Sequence, residues 1–201
     1  MRVLAISDGV FAISMTLLVI GIGVPTLRSA TSERELLDAL TDLWPDVVGF
    51  IIGFAVIGRY WGAHHQFFAL VQDISGRLAL RNLVYLASIA FLPFPTALLG
   101  DYLDNPVAVS AYALAVAAVS ALEVVLFRCA YRDGLLRRPP PSHVYRWAVR
   151  ASILPVVFFI ASVPVAFAST AAAVVSWMVV VPLEALVVDR HRPRDADEYL
   201  R

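Results

Sequence analysis

Six blocks of mostly apolar residues, each about as long as a membrane-spanning helix, dominate this 201-residue sequence. A spanning helix needs about 20 such residues to cross about 30 Å of hydrocarbon. Hydrophobic residues make up 60% of the chain and charged residues 16%, whereas soluble domains carry roughly 25% charged residues. Mean hydropathy is +0.76. The sequence therefore predicts an all-α integral membrane protein and argues against a soluble domain.

The six predicted transmembrane helices follow one another with short polar connections. They cover approximately residues 3–24, 46–70, 80–99, 107–130, 147–167 and 170–188. Ahead of the second span, Ser32 and Glu35 have the spacing of a capping box, which predicts a short amphipathic interfacial helix. Because no linker or low-complexity tract divides the chain, we predict one transmembrane domain over residues 1–201.

The arginines indicate the orientation in the membrane, because basic loops stay in the cytoplasm. Residues 28–46 hold two arginines against five acidic residues, whereas residues 128–150 hold six arginines and one acid. This alternation predicts both termini in the cytoplasm and a location in the inner (plasma) membrane. The bilayer is thus an expected partner, while a formal net charge of zero gives no electrostatic support for a nucleic-acid partner.

Polar side chains cluster at the start of the first span and in the second span. Such groups are costly in lipid, so they should face the bundle and find partners. Asp8 alone could be explained by the positive end of its helix, but the polar side chains of the next helix suggest a network around it. We predict that this network anchors the first helix and consists of Arg2, Ser7, Asp8, Trp61, His64 and His65. A metal site is not predicted, because adjacent histidines on a helix point about 100° apart.

The first helix also carries a motif. It reads Arg-Val-Leu-Ala-Ile-Ser-Asp-Gly-Val-Phe-Ala-Ile over residues 2–13, followed by Thr16, Leu17 and Leu18. This opening, with the spacing of Trp61 and His64, resembles the bacterial branch of the transmembrane protein 175 potassium channels, known from animal endosomes and lysosomes. Ile6 stands where that family has Phe.

The resemblance implies a homotetrameric, leak-type, potassium-selective channel without a carbonyl selectivity filter, whose pore is lined by the first helix of each subunit. Ile13, Leu17 and Ile20 take the family's constriction positions, and their spacing places them on one helical face. Spacing alone would favour a stripe that packs against a neighbouring helix, and only the motif reverses this interpretation. Thr16 and Ser14 either line the pore or bond back to a carbonyl one turn earlier. Potassium would be the permeant ion, with no cofactor and no bound metal.

Two other classes of function stay open at this point. A proton-coupled secondary transporter could use Asp8, His64 and Glu123 as a relay, although the chain lacks the internal repeat typical of many carriers. A simpler explanation of Glu123 is an ion pair with Arg128. The third possibility is a membrane scaffold or enzyme subunit, but the sequence contains no catalytic constellation, so no enzyme is predicted.

Overall fold

The computed structural model describes residues 2–29 and 32–200, except for the side chains of Arg2 and of residues 180–189. The described chain is built from α-helices and one 3-10 helix, Leu18–Gly21, that continues the first of them. The α-helices are α1 Arg2–Leu17, α2 Glu33–Asp42, α3 Trp44–Leu70, α4 Gly76–Phe91, α5 Pro93–Asp101, α6 Pro106–Arg132, α7 Ser142–Ala168, α8 Thr170–Arg190 and α9 Ala196–Tyr199.

Five helical segments of the described chain are long and apolar enough to cross a membrane. They are Val3–Gly21, Trp44–Leu70, Gly76–Asp101, Pro106–Arg132 and Ser142–Ala168. In α8 the described apolar stretch is Thr170–Val179, which is shorter than a full span. Five of the six predicted spans thus have a matching helix, while the sixth stays a prediction because it continues beyond the described side chains.

The third span differs from its predicted bounds and is not continuous. It begins at Gly76 rather than near residue 80, because the Ser75 hydroxyl accepts a hydrogen bond of 3.2 Å from the Leu78 amide and so caps the helix. It is also interrupted at Leu92, between α4 and α5. Pro93 has no amide hydrogen to continue the helical ladder, so one predicted span consists of two consecutive helices.

The capping box before α2 forms only in part. The Ser32 hydroxyl accepts from the Glu35 amide at 3.3 Å, as its position predicts. The Glu35 carboxylate, however, accepts from the backbone amides of Arg28 at 2.6 Å and Ser29 at 3.2 Å. These contacts fold the segment before α2 back onto its first turn.

Hydrogen bonds between helices add to the apolar packing of the core. The hydroxyl groups of Tyr60 on α3 and Ser120 on α6 are 2.6 Å apart. Between α7 and α8, the Trp177 indole of α8 donates to the Ser162 hydroxyl of α7 at 3.1 Å. Hydrogen bonds of this kind hold helices together where lipid provides no hydrophobic driving force between them. Helix α6, which packs against α4, α5, α7 and α8, forms the centre of the bundle.

Gly53 allows α3 to approach its neighbours closely. A β-carbon at this position would lie 2.7 Å from Thr96 Cγ2 and 3.2 Å from Leu18 Cδ2. Gly62, on the same helix, has no such neighbour within 4 Å. We expect Gly53→Ala to destabilise the protein by about 1–3 kcal/mol through overpacking. Thermal unfolding in detergent should show a lower Tm for Gly53→Ala and an unchanged or higher Tm for Gly62→Ala. Equal shifts of the two variants would contradict this account.

Candidate functional site

Helix α1, together with the 3-10 helix that continues it, has two distinct faces. Ser7, Phe11, Ser14 and Leu18 are buried, and their spacing of four, three and four residues places them on one side of a helix. This side packs against α3 and α4. The packed face therefore fixes the orientation of α1 about its own axis.

The residues predicted to form a constriction lie on the other face. Ile13 is 59% exposed, Leu17 42% and Ile20 72%. These three large apolar side chains are not covered by the rest of their own protomer, so they can contact lipid or another protomer. The alternative that this stripe packs inside the protomer is thereby removed, since the packed stripe consists of other residues.

The two hydroxyl residues of α1 separate between these faces. Thr16 is exposed, and its hydroxyl donates to the Ile13 carbonyl at 2.8 Å. Ser14 is buried, and its hydroxyl donates to the Val10 carbonyl at 2.7 Å. For Ser14 the observed contact is thus the bond back to a carbonyl one turn earlier, and its side chain points about 100° away from that of Ile13.

Near the start of α1, two separate contacts connect it to the neighbouring helices. At the exposed edge, the Trp61 indole of α3 donates to Asp8 Oδ1 at 3.0 Å. In the interior, Asn82 of α4 donates to the Ser7 hydroxyl at 3.1 Å, and Ser7 itself donates to the Val3 carbonyl at 2.9 Å. Helix α1 is thus held by side chains of both α3 and α4.

His64 completes the interior contact. Its Nε2 lies 2.8 Å from Asn82 Oδ1, and because an amide oxygen only accepts, the imidazole is the donor. The ring is buried and lies nearly parallel to Tyr85, with centroids 5.6 Å apart. Phe68 and Phe11 flank it at 4.6 and 5.4 Å. A chain of hydrogen bonds therefore runs from His64 through Asn82 to Ser7 inside an aromatic enclosure.

The structure separates the other predicted members of the network. His65 is exposed beside Trp61, with ring centroids 6.0 Å apart, and lies outside the chain of hydrogen bonds just described. The side chain of Arg2 lies outside the described residues. Of the residues predicted to surround Asp8, Trp61 does bond to it, whereas His64 bonds to Asn82 instead. Asn82 was missed, although an amide in an apolar span signals a polar partner.

Glu123 does not pair with Arg128, contrary to the sequence prediction. Glu123 faces a cleft with Gln66 and Ser152, whereas Arg128 lines a different cleft beside Arg132. Residues five apart on a helix point about 140° away from each other, so the two cannot share a face. His64 bonds to an amide and to neither carboxylate, so the relay proposed for a proton-coupled transporter is not assembled among these side chains.

No group of three or more His, Cys, Asp or Glu residues among those that the structure describes could hold a metal ion. The described chain contains several apolar helices of spanning length, and α1 packs against α3 and α4 on one face and is exposed on the other. These features define an integral membrane protein.

Comparison with known proteins identifies the family. The protein-family model described as endosomal/lysosomal potassium channel TMEM175 matches residues 2–93 of this chain. A protein named potassium channel from Chamaesiphon minutus is 43% identical over 146 residues, which cover 71% of each chain. Another of that name, from Streptomyces collinus, is 38% identical over 142 residues, covering 69% of this chain and 68% of its own.

A solved structure agrees over nearly the whole length. It is the crystal structure of a lysosomal potassium-selective channel TMEM175 homolog from Chamaesiphon minutus, with a TM-score of 0.76, 30% identity, and coverage of 96% of this chain and 97% of that one. This chain belongs to the TMEM175 family, which is a family of ion channels and not of enzymes. The resemblance stated from the motif is thereby confirmed.

Proposed function

We propose that this chain forms a homotetrameric, leak-type, potassium-selective channel in the cell membrane, with α1 of each protomer around a central pore. Each protomer would have six spans and both termini in the cytoplasm. The observation that carries the proposal is the exposed apolar face of α1 and of the 3-10 helix that continues it, formed by Ile13, Leu17 and Ile20 away from the packed face. One protomer supplies one such face, so a pore requires closed symmetry around an axis.

The proposed constriction works without fixed carbonyl groups. The sequence contains no loop similar to Thr-Val-Gly-Tyr-Gly, the segment with which other potassium channels replace the hydration shell of the ion. A ring of bulky apolar side chains instead controls conduction by excluding water from a narrow passage. Thr16, exposed beside this ring, would provide a hydroxyl oxygen to a passing ion. Potassium is the permeant species here, and no cofactor is required.

Potassium as the permeant ion is supported by the relatives rather than by a contact in this chain. The two bacterial relatives are named potassium channels, and the matching crystal structure is titled as a potassium-selective channel. At 30% identity over 96% of the chain, the fold that carries α1 is shared along nearly its whole length.

Reconstitution into liposomes with an outward potassium gradient tests the proposal. We expect potassium efflux that does not need a pH gradient and does not saturate like a carrier, and a much smaller flux when sodium replaces potassium. Liposomes without protein are the blank, and cross-linking gives the subunit number in the same membranes. Tetrameric protein without potassium flux would contradict the proposal. Saturable flux driven by a pH gradient would instead favour a proton-coupled transporter.

A further inference from the structure

A basic cleft lies at the surface of the protomer between the start of α4 and the end of α6. It measures about 280 Å³. Its walls consist of four arginines, one acidic residue and three apolar or sulfur-bearing side chains, namely Arg77, Arg81, Arg128, Arg132, Asp133, Val124, Val125 and Cys129. We call this the basic cleft. It is formed by other helices than α1 and lies apart from the proposed pore.

Positive charge in the basic cleft is only partly balanced. Asp133 is its one carboxylate, and this group is already shared, since Arg77 lies 4.0 Å away and the Cys129 thiol donates to it at 3.3 Å. The Arg81 guanidinium donates to the Cys129 sulfur. Arg128 and Arg132 have no carboxylate partner among the residues that the structure describes. Four guanidinium groups against one carboxylate leave the cleft cationic.

The loop that precedes α4 and the loop that follows α6 are held together by backbone bonds. After α3, the Gln72 amide donates to the Leu135 carbonyl at 2.9 Å, and the Arg137 amide donates to the Leu70 carbonyl at 2.9 Å. Gly134 makes the turn after α6 with φ of 67°, a conformation that suits glycine. The cleft therefore lies beside a hydrogen-bonded connection between two loops, which lowers the backbone ordering that ligand binding requires.

Apolar side chains continue from the cleft toward the middle of the membrane. On α4, Val84 follows Arg77 and Arg81 on the same face and is 51% exposed. On α6, Val125 precedes Arg128 and Arg132 on one face and is 41% exposed. Each helix thus presents a charged end followed one turn deeper by an exposed valine. A ligand with an anionic head and an apolar tail matches this order.

We propose that the basic cleft binds the phosphate group of an anionic phospholipid, whose acyl chain lies along Val84 and Val125. Guanidinium groups bind phosphate oxygens through paired, charge-assisted hydrogen bonds, and basic pockets between membrane helices take anionic headgroups in the same way. Free phosphate shares the headgroup chemistry, but it would leave the exposed valines without a role.

Native mass spectrometry of the full-length protein in detergent, titrated with phosphatidylglycerol, measures this binding independently of ion flux. The test variant is Arg128→Gln with Arg132→Gln, since these two arginines have no carboxylate partner to leave unpaired. We expect phosphatidylglycerol affinity about thirtyfold lower, because each arginine near an anionic headgroup contributes a factor of about five. Phosphatidylcholine, which has no net charge, should bind much more weakly to the unsubstituted protein.

The matched control is Arg137→Gln with Arg138→Gln, which removes the same charge from exposed loop positions outside the cleft. It should retain phosphatidylglycerol like the unsubstituted protein. Unchanged affinity in the Arg128 and Arg132 variant, or equal loss in both variants, would overturn the site. Displacement of the lipid by inorganic phosphate at a comparable concentration would overturn the phospholipid as its ligand and assign free phosphate. Failure of the channel assay would leave these mass measurements unaffected.

Discussion

Ile13→Ala and Leu17→Ala channels are expected to conduct potassium faster than the unsubstituted channel and to discriminate less well against sodium. Both side chains lie on the exposed face of α1, and in the proposed tetramer each substitution is repeated around the pore. Smaller side chains widen an apolar constriction and make it easier to hydrate. An increase on the order of tenfold requires a barrier only about 1.4 kcal/mol lower. Single-channel currents in planar bilayers, with potassium and sodium on opposite sides, measure both effects.

Two substitutions separate this effect from a general loss of apolar surface. Leu83→Ala removes an exposed leucine from α4, and Ser14→Ala alters the packed face of α1, where the hydroxyl bonds only to its own helix. Both controls should keep the currents of the unsubstituted channel. Unchanged currents in both Ile13→Ala and Leu17→Ala would remove these residues from the pore. A similar increase in Leu83→Ala would attribute the effect to lipid contact.

The sequence predicts the spans well because a bilayer imposes a minimum apolar length, and five described helical segments meet it. It predicts their ends less well. The start of α4 depends on a single hydroxyl, that of Ser75. The break at Leu92 depends on Pro93, which lies inside the segment 80–99 that the sequence predicts as one span. A single capping residue or proline is difficult to recognise in the sequence, because the apolar character of the whole segment dominates the prediction.

The sequence identified several residues near the start of α1 but not which of their side chains bond to one another. Helical periodicity places Ile13 and Leu17 on one face, and both are exposed in the protomer, while their place in a pore stays a prediction. Periodicity also shows why His64 and His65 point in different directions, but it cannot tell which one enters the bundle. The partner of His64 comes from α4, and contact between residues distant in sequence follows from packing. For this reason Asn82 was missed and Asp8 was assigned too many partners.

Asn82→Ala is expected to loosen α1 from the bundle and to lower stability by about 3 kcal/mol. The substitution leaves the buried His64 Nε2–H without its acceptor and removes the amide that bonds to Ser7. An unsatisfied buried polar group costs about 1–3 kcal/mol, and the lost side-chain volume adds a cavity penalty. For a chain of this length the Tm in detergent should fall by about 6–12 °C.

The chain offers a matched control and a test of the pairing itself. Asn105→Ala removes an exposed helix cap, the 2.9 Å bond to the Val107 amide, and should cost only about 1 kcal/mol. If His64 and Asn82 act through one bond, adding Asn82→Ala to His64→Ala should cost much less than Asn82→Ala alone, since effects of residues in contact are not additive. Fully additive losses, or equal Tm shifts for the two asparagine variants, would contradict the anchoring role.

Because Ser7 and Phe11 lie on the same packed face of α1, a weakened anchor should also rotate or release the face that carries Ile13. Asn82→Ala should therefore change potassium flux per folded tetramer, whereas Asn105→Ala should leave it unchanged.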